Sequence, residues 1–495
     1  MIVKYLKKTG KHSIVYGLGN LVSKIIAFLL VPVYTRVLTP SEYGILSLIT
    51  VSLSITAIVL NMGMQTTLFR FYIFDYTDEK NRKKLVSTIL IFLNVTSILL
   101  IFILIYFSDN ISSLLFSNIE YSFYLKIVFV ATFFEINSHI SLSLLRSQEK
   151  SKIFSIFTII RLVIQISFIL FFVVYLREGV VGALKGILIS QIIFYVINLP
   201  VIIKNIDFSF SFKILKKALR FGIPLIPVAI SSWIMTMIDR IFLERIYDAS
   251  VVGIYTIAYN FGMILNLLFV SPVQLAWAQI KWTIIKKEEE AKNIFSYIMT
   301  YYMTIGVFLL IGIVLSSENI IRIFTTPAYY SAIEIVPFIT IGYLFFGYYY
   351  MVNIGISLKS RTEINAVILI LSASINIFLN YVLIPRYSMM GAAISTTISY
   401  ISLAILSYFI NRKFYQVNYQ WSRIVKIFIS GFIILSIFYN IPEVNLVFSI
   451  LIKLLLIFSY FIILYILKFY EKREIRKIKC FINDFRIRIF NKKNG

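Results

Sequence analysis

Ionisable side chains lie inside the long apolar runs of this 495-residue sequence. Lys24 stands about halfway along the run 13–33, and Asn20 precedes it by one helical turn. A charge at the centre of a membrane helix costs at least about 2.5–3.5 kcal/mol, so it needs a partner or water. Lys24 therefore either faces a water-filled cavity, where it would attract an anion, or pairs with a carboxylate of another helix.

A second group of ionisable residues occupies two consecutive runs. Glu135 and His139 are four residues apart, and Arg161 lies at a similar depth in the following run. One interpretation is a structural ion pair between Arg161 and Glu135 on neighbouring helices. The other is that Arg161 binds an anionic substrate while Glu135 and His139 take up a proton or a cation. We favour the ion pair.

Four further residues carry charge near the ends of runs. Asp239 and Arg240 lie near an outer end, where Arg240 is expected to extend its head group into water. Asp239 could pair with Lys24 or Arg240, or line a cavity. Arg70 and Arg146 lie at cytoplasmic ends, where they form an entrance patch or reflect the positive charge of inner loops.

Two runs carry polar stripes at helical spacing. The stripe of the run 43–67 consists of Ser47, Thr50, Ser54, Asn61 and Gln65. The stripe of the run 252–276 consists of Thr256, Tyr259, Asn260 and Asn266. The spacing keeps each stripe near one helix face. Polar faces of this kind either join helices or line a shared cavity, and both interpretations remain open.

The elements that carry these residues are predicted to be membrane helices. Hydrophobic residues make up 59% of the chain and charged residues 14%, whereas soluble domains contain roughly 45–50% apolar residues. This excludes an ordinary soluble enzyme and a disordered protein. Fourteen apolar runs are present: 13–33, 43–67, 85–107, 120–145, 153–176, 181–203, 221–243, 252–276, 293–316, 332–357, 363–384, 391–411, 424–440 and 446–468. Most are too long for strands and do not alternate, so an all-α integral membrane protein is predicted.

The distribution of charge predicts the topology. With the N-terminus in the cytoplasm, 37 of the 48 Lys and Arg residues fall on the inner side, six on the outer side and five within runs. This asymmetry favours cytoplasmic N- and C-termini. It also explains the net charge of +25 without nucleic-acid binding.

An internal repeat appears at an offset of 209 residues. Its three matches are 36–45 with 245–254, 150–152 with 359–361, and Arg177 through Gly182-Ala183 with Arg386 through Gly391-Ala392. A parallel repeat predicts two pseudo-symmetric six-helix lobes followed by two extra helices. The predicted divisions are an N-terminal lobe (1–203), a cytoplasmic linker (204–220), a C-terminal lobe (221–411), two helices (412–468) and a basic cytoplasmic tail (469–495).

No catalytic pattern accompanies these features. The chain has no phosphate-binding Walker loop and no pair of carboxylates in an outer loop. One cysteine, Cys480, and two histidines are too few for a zinc site built from those residues. We therefore expect no metal, no cofactor and no enzymatic activity.

Several segments resemble a known family. The segments are Gly17-Leu-Gly-Asn-Leu-Val-Ser-Lys24, Pro32-Val-Tyr-Thr-Arg-Val-Leu-Thr-Pro-Ser-Glu-Tyr-Gly44, Asp239-Arg-Ile-Phe-Leu243 and Val252-Gly-Ile-Tyr255. They resemble polysaccharide flippases of the multidrug/oligosaccharidyl-lipid/polysaccharide exporter superfamily. The resemblance implies transfer of an undecaprenyl-diphosphate-linked oligosaccharide to the outer leaflet by alternating access, with Lys24, Asn20 and Arg161 near the diphosphate. It also implies a prokaryotic cytoplasmic membrane and polysaccharide polymerase machinery as a partner.

Three other functions remain open. A cation-coupled drug antiporter would need a buried acid, and Glu135 or Asp239 would have to serve. A peptidoglycan-precursor flippase resembles the chain less, because that branch usually has more arginines in its first spans. A membrane glycan polymerase or ligase would need long outer loops, and no outer loop exceeds about 16 residues in the predicted topology.

Overall fold

The computed structural model describes residues 28, 30–116, 118–286, 288–359, 361–441 and 445–476. Within these residues the chain is helical and has no β-strand. The helices are α1 (Val31–Val37), α2 (Pro40–Asn61), α3 (Met64–Phe74), α4 (Glu79–Tyr106), α5 (Ser108–Phe116), α6 (Ser122–Ser147), α7 (Ser151–Leu170), α8 (Gly179–Lys204), α9 (Phe212–Gly222), α10 (Leu225–Ile246), α11 (Ala249–Gly262), α12 (Ser271–Ile285), α13 (Glu288–Phe324), α14 (Val336–Val352), α15 (Gly355–Leu358), α16 (Thr362–Phe414), α17 (Trp421–Tyr439) and α18 (Leu446–Ile466).

Twelve helical segments of the described chain are long and apolar enough to cross a membrane. The 53-residue helix α16 contains two of the predicted runs. At 1.5 Å per residue it would be about 80 Å long, more than twice the thickness of a hydrocarbon core. It bends at Ser388, whose φ of 49° and ψ of −129° are not helical. The predicted all-α membrane fold is confirmed. The total of fourteen spans stays a prediction, because most of the run 13–33 lies outside the described residues.

The helix boundaries follow the 209-residue repeat. Helix α2 begins at Pro40 and α11 at Ala249, while α4 begins at Glu79 and α13 at Glu288. Gly179, at the start of α8, has a φ of 58°, and Ser388, 209 residues later, has a φ of 49°. Equivalent sequence positions therefore begin or interrupt helices in both halves.

The run 43–67 forms two helices, which corrects the single helix predicted for it. Helix α2 begins with a capping box, in which the Thr39 hydroxyl accepts from the Glu42 amide and the Glu42 carboxylate accepts from the Thr39 amide. The helix ends at Asn61, because Met62 and Gly63 adopt φ values of 47° and 71°. A new helix then starts at Met64. Gln65 therefore does not belong to the helix face that carries Ser47.

The chain forms two compact units. The first contains the described residues up to 279 together with Ser317–Phe414, and it includes α2 to α11 and α14 to α16. The second contains Ile280–Ser316 and the described residues from 415 onward. These units do not coincide with the two lobes predicted from the repeat, and the lobe boundaries stay a prediction.

In the second unit, Arg423 of α17 forms ion pairs with the segment that follows α18. Both terminal nitrogens of this guanidinium, which is 8% exposed, donate to acids of that segment. Nη2 lies 2.9 and 2.8 Å from the two carboxylate oxygens of Glu474, and Nη1 lies 3.3 Å from Oε1 of Glu471. The Phe469 ring covers the guanidinium at 4.3 Å. This paired, stacked arginine holds the chain where it leaves the last helix.

Candidate functional site

Helices α2 and α11 cross with their backbones in contact. A Cβ atom added to Gly44 would overlap the carbonyl oxygen of Ala249 and lie 3.0 Å from the amide nitrogen of Gly253. A Cβ added to Gly253 would overlap the carbonyl oxygen of Pro40 and lie 3.1 Å from the amide nitrogen of Gly44. Only glycine permits this approach, and it does so on both helices.

The contacts at this crossing are reciprocal under the repeat. Gly44 contacts Ala249, which is the residue equivalent to Pro40, and Gly253 contacts Pro40 itself. Reciprocal contacts of this kind are the pattern of an interface about a two-fold axis. Ser47 and its equivalent Thr256 continue the crossing, with their hydroxyl oxygens 2.8 Å apart. The Thr256 hydroxyl donates to its own helix, so Ser47 is the donor of this hydrogen bond.

A three-residue cluster joins α6 and α7. Nη2 of Arg161 lies 2.9 Å from Oε1 of Glu135, and Nη1 of Arg161 lies 3.0 Å from Nε2 of His139. The same Nε2 is 3.6 Å from Oε1 of Glu135. The predicted ion pair between Arg161 and Glu135 is therefore present. Whether these residues bind substrate or ions stays a prediction.

The cluster is held by close packing of α6 on its neighbours. Ser138 and Ser141 of α6 are fully buried, and small residues of this kind let helices approach closely. Ser141 donates to the side-chain oxygen of Asn198 on α8. The Phe194 ring of α8 lies 5.9 Å from the Arg161 guanidinium. The side chains of Arg161 and His139 nevertheless remain 21% and 35% exposed, so the cluster is not sealed.

A different charged pair is sealed inside the first unit. Asp239 and Arg240 of α10 are 1% and 3% exposed. Oδ1 of Asp239 accepts from Nη1 and from the amide of Arg240, at 3.1 and 2.9 Å. Oδ2 accepts from the hydroxyls of Tyr255, at 2.5 Å, and Thr396, at 3.5 Å. Both carboxylate oxygens are therefore satisfied, as a buried charge requires.

Arg240 does not extend into water, which corrects the expectation from its position near a helix end. Its Nη1 also donates to the Thr236 carbonyl at 2.9 Å, and its guanidinium lies 4.5 Å above the Tyr259 ring. The Tyr343 hydroxyl donates to that of Tyr259 at 2.9 Å. A carboxylate and aromatic rings thus replace water around this arginine. Asp239 pairs with Arg240, one of the two partners considered for it.

The remaining stripe residues of α2 all have hydrogen-bond partners within the described chain. Thr50 is exposed and donates to the Ser47 carbonyl at 2.7 Å. Ser54 is half-buried and accepts from Nε1 of Trp233 on α10 at 2.9 Å. The Asn61 side chain accepts from the Gln65 amide at 3.1 Å. Cavity lining by these residues stays a prediction.

The second stripe contributes mainly to packing around α11. The Asn260 side chain donates to the Tyr43 hydroxyl at 3.2 Å, which links α11 to α2. Asn266 begins a π-helical turn and accepts from Ser271 at 3.1 Å. Tyr259 is 2% exposed beneath Arg240. A cavity role for these three residues also stays a prediction.

The other candidate residues lie apart from the cluster or outside the described chain. Arg70 and Arg146 are exposed, and each guanidinium lies over an aromatic ring, at 4.5 Å from Phe221 and 5.2 Å from Phe69 respectively. Their role at an entrance stays a prediction. Lys24 and Asn20 lie outside the described residues.

Sequence reasoning missed two features of the site. The first is the contact between Ser47 and Thr256, although their separation of 209 residues equals the repeat offset. A two-fold relation brings equivalent residues together at its axis, so the repeat could have predicted this pair. The second is Thr396, which joins Asp239 from a helix 157 residues away and has no local sequence signal.

Comparison with known families agrees with this architecture. The family model described as "Polysaccharide biosynthesis protein" matches residues 9–278, more than half of the chain. The chain belongs to the polysaccharide biosynthesis protein family. No curated protein sequence matches this family member.

Solved structures of other proteins share the fold of this chain. The lipid II flippase MurJ, in an inward closed conformation, has a TM-score of 0.74 at 19% identity, covering 91% of this chain and 99% of its own. An inward-facing multidrug resistance MATE family transporter of the MOP superfamily gives 0.64 at 15% identity, covering 82% and 95%. A MOP superfamily transporter from Pyrococcus furiosus gives 0.58 at 17% identity, covering 85% and 96%.

These likenesses confirm the superfamily fold that the sequence segments indicated. The polysaccharide biosynthesis family member is a multi-pass membrane protein with the fold of MOP-superfamily transporters.

Proposed function

We propose that this protein carries undecaprenyl-diphosphate-linked oligosaccharide repeat units from the inner to the outer leaflet of a prokaryotic cytoplasmic membrane. There they would supply a polysaccharide polymerase. Membership of the polysaccharide biosynthesis family supports the cargo class. The observation that best supports alternating access is the reciprocal crossing of α2 and α11, because two equivalent helices are in direct backbone contact there.

The crossing supports a gate on one side of the membrane. It lies in the N-terminal half of α2 and of α11, and the topology we propose, with both termini in the cytoplasm, puts those ends at the outer face. Transporters with repeats move largely by rocking one half against the other. A contact made by glycines and two small hydroxyl side chains can separate without unpairing any charge.

The chemistry of the cargo fits the charged residues of this chain. A diphosphate is a strong anion, and a guanidinium or an ammonium group in a low-dielectric site attracts it. We assign the headgroup contacts to Lys24, Asn20 and Arg161, and the sugar contacts to the two polar stripes. A membrane potential that is negative inside drives an anion outward by about 2.3 kcal/mol per charge per 100 mV.

Deletion of the gene tests the function in cells. We expect loss of surface polysaccharide and accumulation of lipid-diphosphate-linked repeat units on the cytoplasmic side. Restoration by a plasmid copy is the control. Unchanged amounts of both would contradict the proposal, and a change in drug sensitivity alone would favour the antiporter alternative.

A disulfide across the crossing tests the gate. In a Cys480→Ser background, Ser47→Cys combined with Thr256→Cys places two thiols where the hydroxyls are 2.8 Å apart, within disulfide reach. We expect oxidation to stop transport of the lipid-linked oligosaccharide in vesicles and reduction to restore it. Each single cysteine variant is the matched control. Full transport by the cross-linked protein would contradict a gate at this position.

Substitution of the proposed headgroup lysine tests the site. Lys24→Ala should abolish export while the protein stays in the membrane. Lys126→Ala is a suitable control, because Lys126 reaches Asp109 (3.7 Å) near the end of its helix and has no assigned role in transport. Normal export by the Lys24 variant would remove this residue from the site.

A peptidoglycan precursor is the second candidate cargo. The fold likeness to a lipid II flippase favours it, at a TM-score of 0.74. The deletion strain distinguishes the two cargoes, since this alternative predicts accumulation of the peptidoglycan precursor with normal surface polysaccharide.

A further inference from the structure

The contact between Arg161 and His139 bears on which nitrogen of the histidine carries a proton. A guanidinium has only donor groups and stays charged in proteins. Nε2 of His139, 3.0 Å from Nη1 of Arg161, must therefore offer its lone pair. A neutral imidazole with its proton on Nδ1 satisfies this contact.

The Glu135 carboxylate can accept a further hydrogen bond. Its Oε1 accepts from Arg161 at 2.9 Å and lies 3.6 Å from Nε2 of His139. Its other oxygen, Oε2, is buried and has no hydrogen-bond partner among the described residues. A buried carboxylate oxygen is stabilised by a hydrogen-bond donor. A proton on Nε2 of His139 would supply the missing donor one helical turn away.

Protonation also changes the charge of the cluster. With neutral His139, the charges of Glu135 and Arg161 cancel. A proton on Nε2 raises the net charge to plus one, and it turns the contact with Arg161 into a repulsion between two cations. Within the described chain, no other charged side chain forms an ion pair with these three residues, and α8 contributes the Phe194 ring.

We propose that His139 is a proton-binding site linked to anion binding at Arg161. A proton on His139 transfers Glu135 from Arg161 to the imidazolium and leaves the guanidinium free for a diphosphate. This inference rests on the proposed function for the identity of the anion. By linkage, the proton strengthens binding of the diphosphate and the diphosphate strengthens binding of the proton.

The exposure of the cluster is consistent with this exchange. Arg161 and His139 are 21% and 35% exposed, and intramembrane ionisable groups almost always face protein or a water-filled cavity. Exposed surface at both side chains is what access by a proton and a phosphate oxygen requires. The sealed pair of Asp239 and Arg240 offers no comparable access, with exposed fractions of 1% and 3%.

Binding measurements test the linkage directly. The full chain in lipid nanodiscs is titrated with undecaprenyl diphosphate at about pH 8 and about pH 5.5, on either side of the usual range for histidine. We expect the wild type to bind about tenfold more tightly at the lower pH than His139→Gln does, with little difference at the higher pH. Comparison at the same pH removes the titration of the ligand itself.

Three variants complete the test. His12→Gln removes the chain's other histidine and should keep the wild-type pH dependence. Glu135→Gln should bind tightly at both pH values, because its Arg161 has lost the carboxylate that competes with the diphosphate, and Arg161→Gln should bind weakly at both. Wild-type pH dependence in His139→Gln would overturn the inference.

A measurement without substrate separates this inference from the proposed function. A double-mutant cycle between Arg161→Gln and Glu135→Gln reports their coupling through the unfolding midpoint. We expect coupling at about pH 8 that falls at about pH 5.5, and equal coupling at both in a His139→Gln background. The same coupling at both pH values in the wild type would overturn the switch. If undecaprenyl diphosphate binds at neither pH while the coupling still depends on pH, the proposed cargo is contradicted and the switch is not.

Discussion

Two clusters in the first unit combine an arginine with an acid, and they differ in how completely the charges are satisfied. At Asp239 and Arg240, both carboxylate oxygens have donors and the guanidinium is covered by a tyrosine ring. At Glu135 and Arg161, one carboxylate oxygen has no donor within the part of the chain that the structure describes, and the arginine contacts a titratable imidazole. The first cluster is suited to holding helices together, and the second to exchanging partners.

The difference follows from the helices that surround each cluster. Asp239 and Arg240 are adjacent on α10, and α11, α14 and α16 bring Tyr255, Tyr343 and Thr396 around them. Among the described helices, the charged groups of the other cluster belong to α6 and α7. An ion pair alone therefore does not indicate function in this fold. The hydrogen-bond partners of both side chains must also be known.

The largest expected effect comes from breaking the sealed pair. Asp239→Ala leaves Arg240 buried without its counter-ion, which typically costs 3–5 kcal/mol. We expect a marked fall in the unfolding midpoint in detergent and in the amount of protein in the membrane. Asp239→Asn keeps an acceptor for Tyr255 and should lose less. If the alanine variant were as stable as the wild type, the proposal that the Asp239–Arg240 cluster holds helices together would be contradicted.

A smaller effect is expected at the ion pair beyond the membrane segments. Burial acts to raise the pKa of Glu474, but hydrogen bonds from Tyr301, the Glu471 amide and Arg423 outweigh it and leave the pKa below its usual value. Glu474→Gln should cost about 1.5 kcal/mol at neutral pH, as for a hydrogen bond between charged groups.

The pH dependence of this variant has a definite sign. Because the folded-state pKa is lowered, the carboxylate stabilises the protein fully above the ordinary glutamate pKa of 4.5, and the contribution is lost as the pH falls through the folded pKa. The unfolding midpoints of wild type and Glu474→Gln should therefore converge in acid. A gap that is constant with pH would show that the glutamate acts through packing.

The smallest effect on stability is expected at Glu135. Glu135→Gln keeps an acceptor beside Arg161, which also stays in contact with His139, so we expect a loss of about 1 kcal/mol or less, as for the net contribution of one hydrogen bond. Equal losses in unfolding free energy for Glu135→Gln and Asp239→Ala would show that both clusters are structural.

The fold could be predicted from the sequence to a large extent. Hydrophobic runs of about 20 residues identify membrane helices, because lipid leaves the backbone no other hydrogen-bond partners. The break at Met62 and Gly63 was missed, because two left-handed residues leave no mark on the hydrophobic pattern. Arg240 was misjudged because its distance from a helix end does not reveal the aromatic rings that cover it.

The composition and the long apolar runs were sufficient to predict an all-α membrane protein, and the 209-residue repeat is visible in the sequence itself. For Glu135 and Arg161 the sequence favoured an ion pair but left a substrate-binding role open. Which charges are satisfied depends on tertiary packing. Thr396 reaches Asp239, and Ser47 reaches Thr256, through helices distant in sequence. Satisfaction of a buried charge depends on every helix packed around it, and no stretch of sequence contains that information.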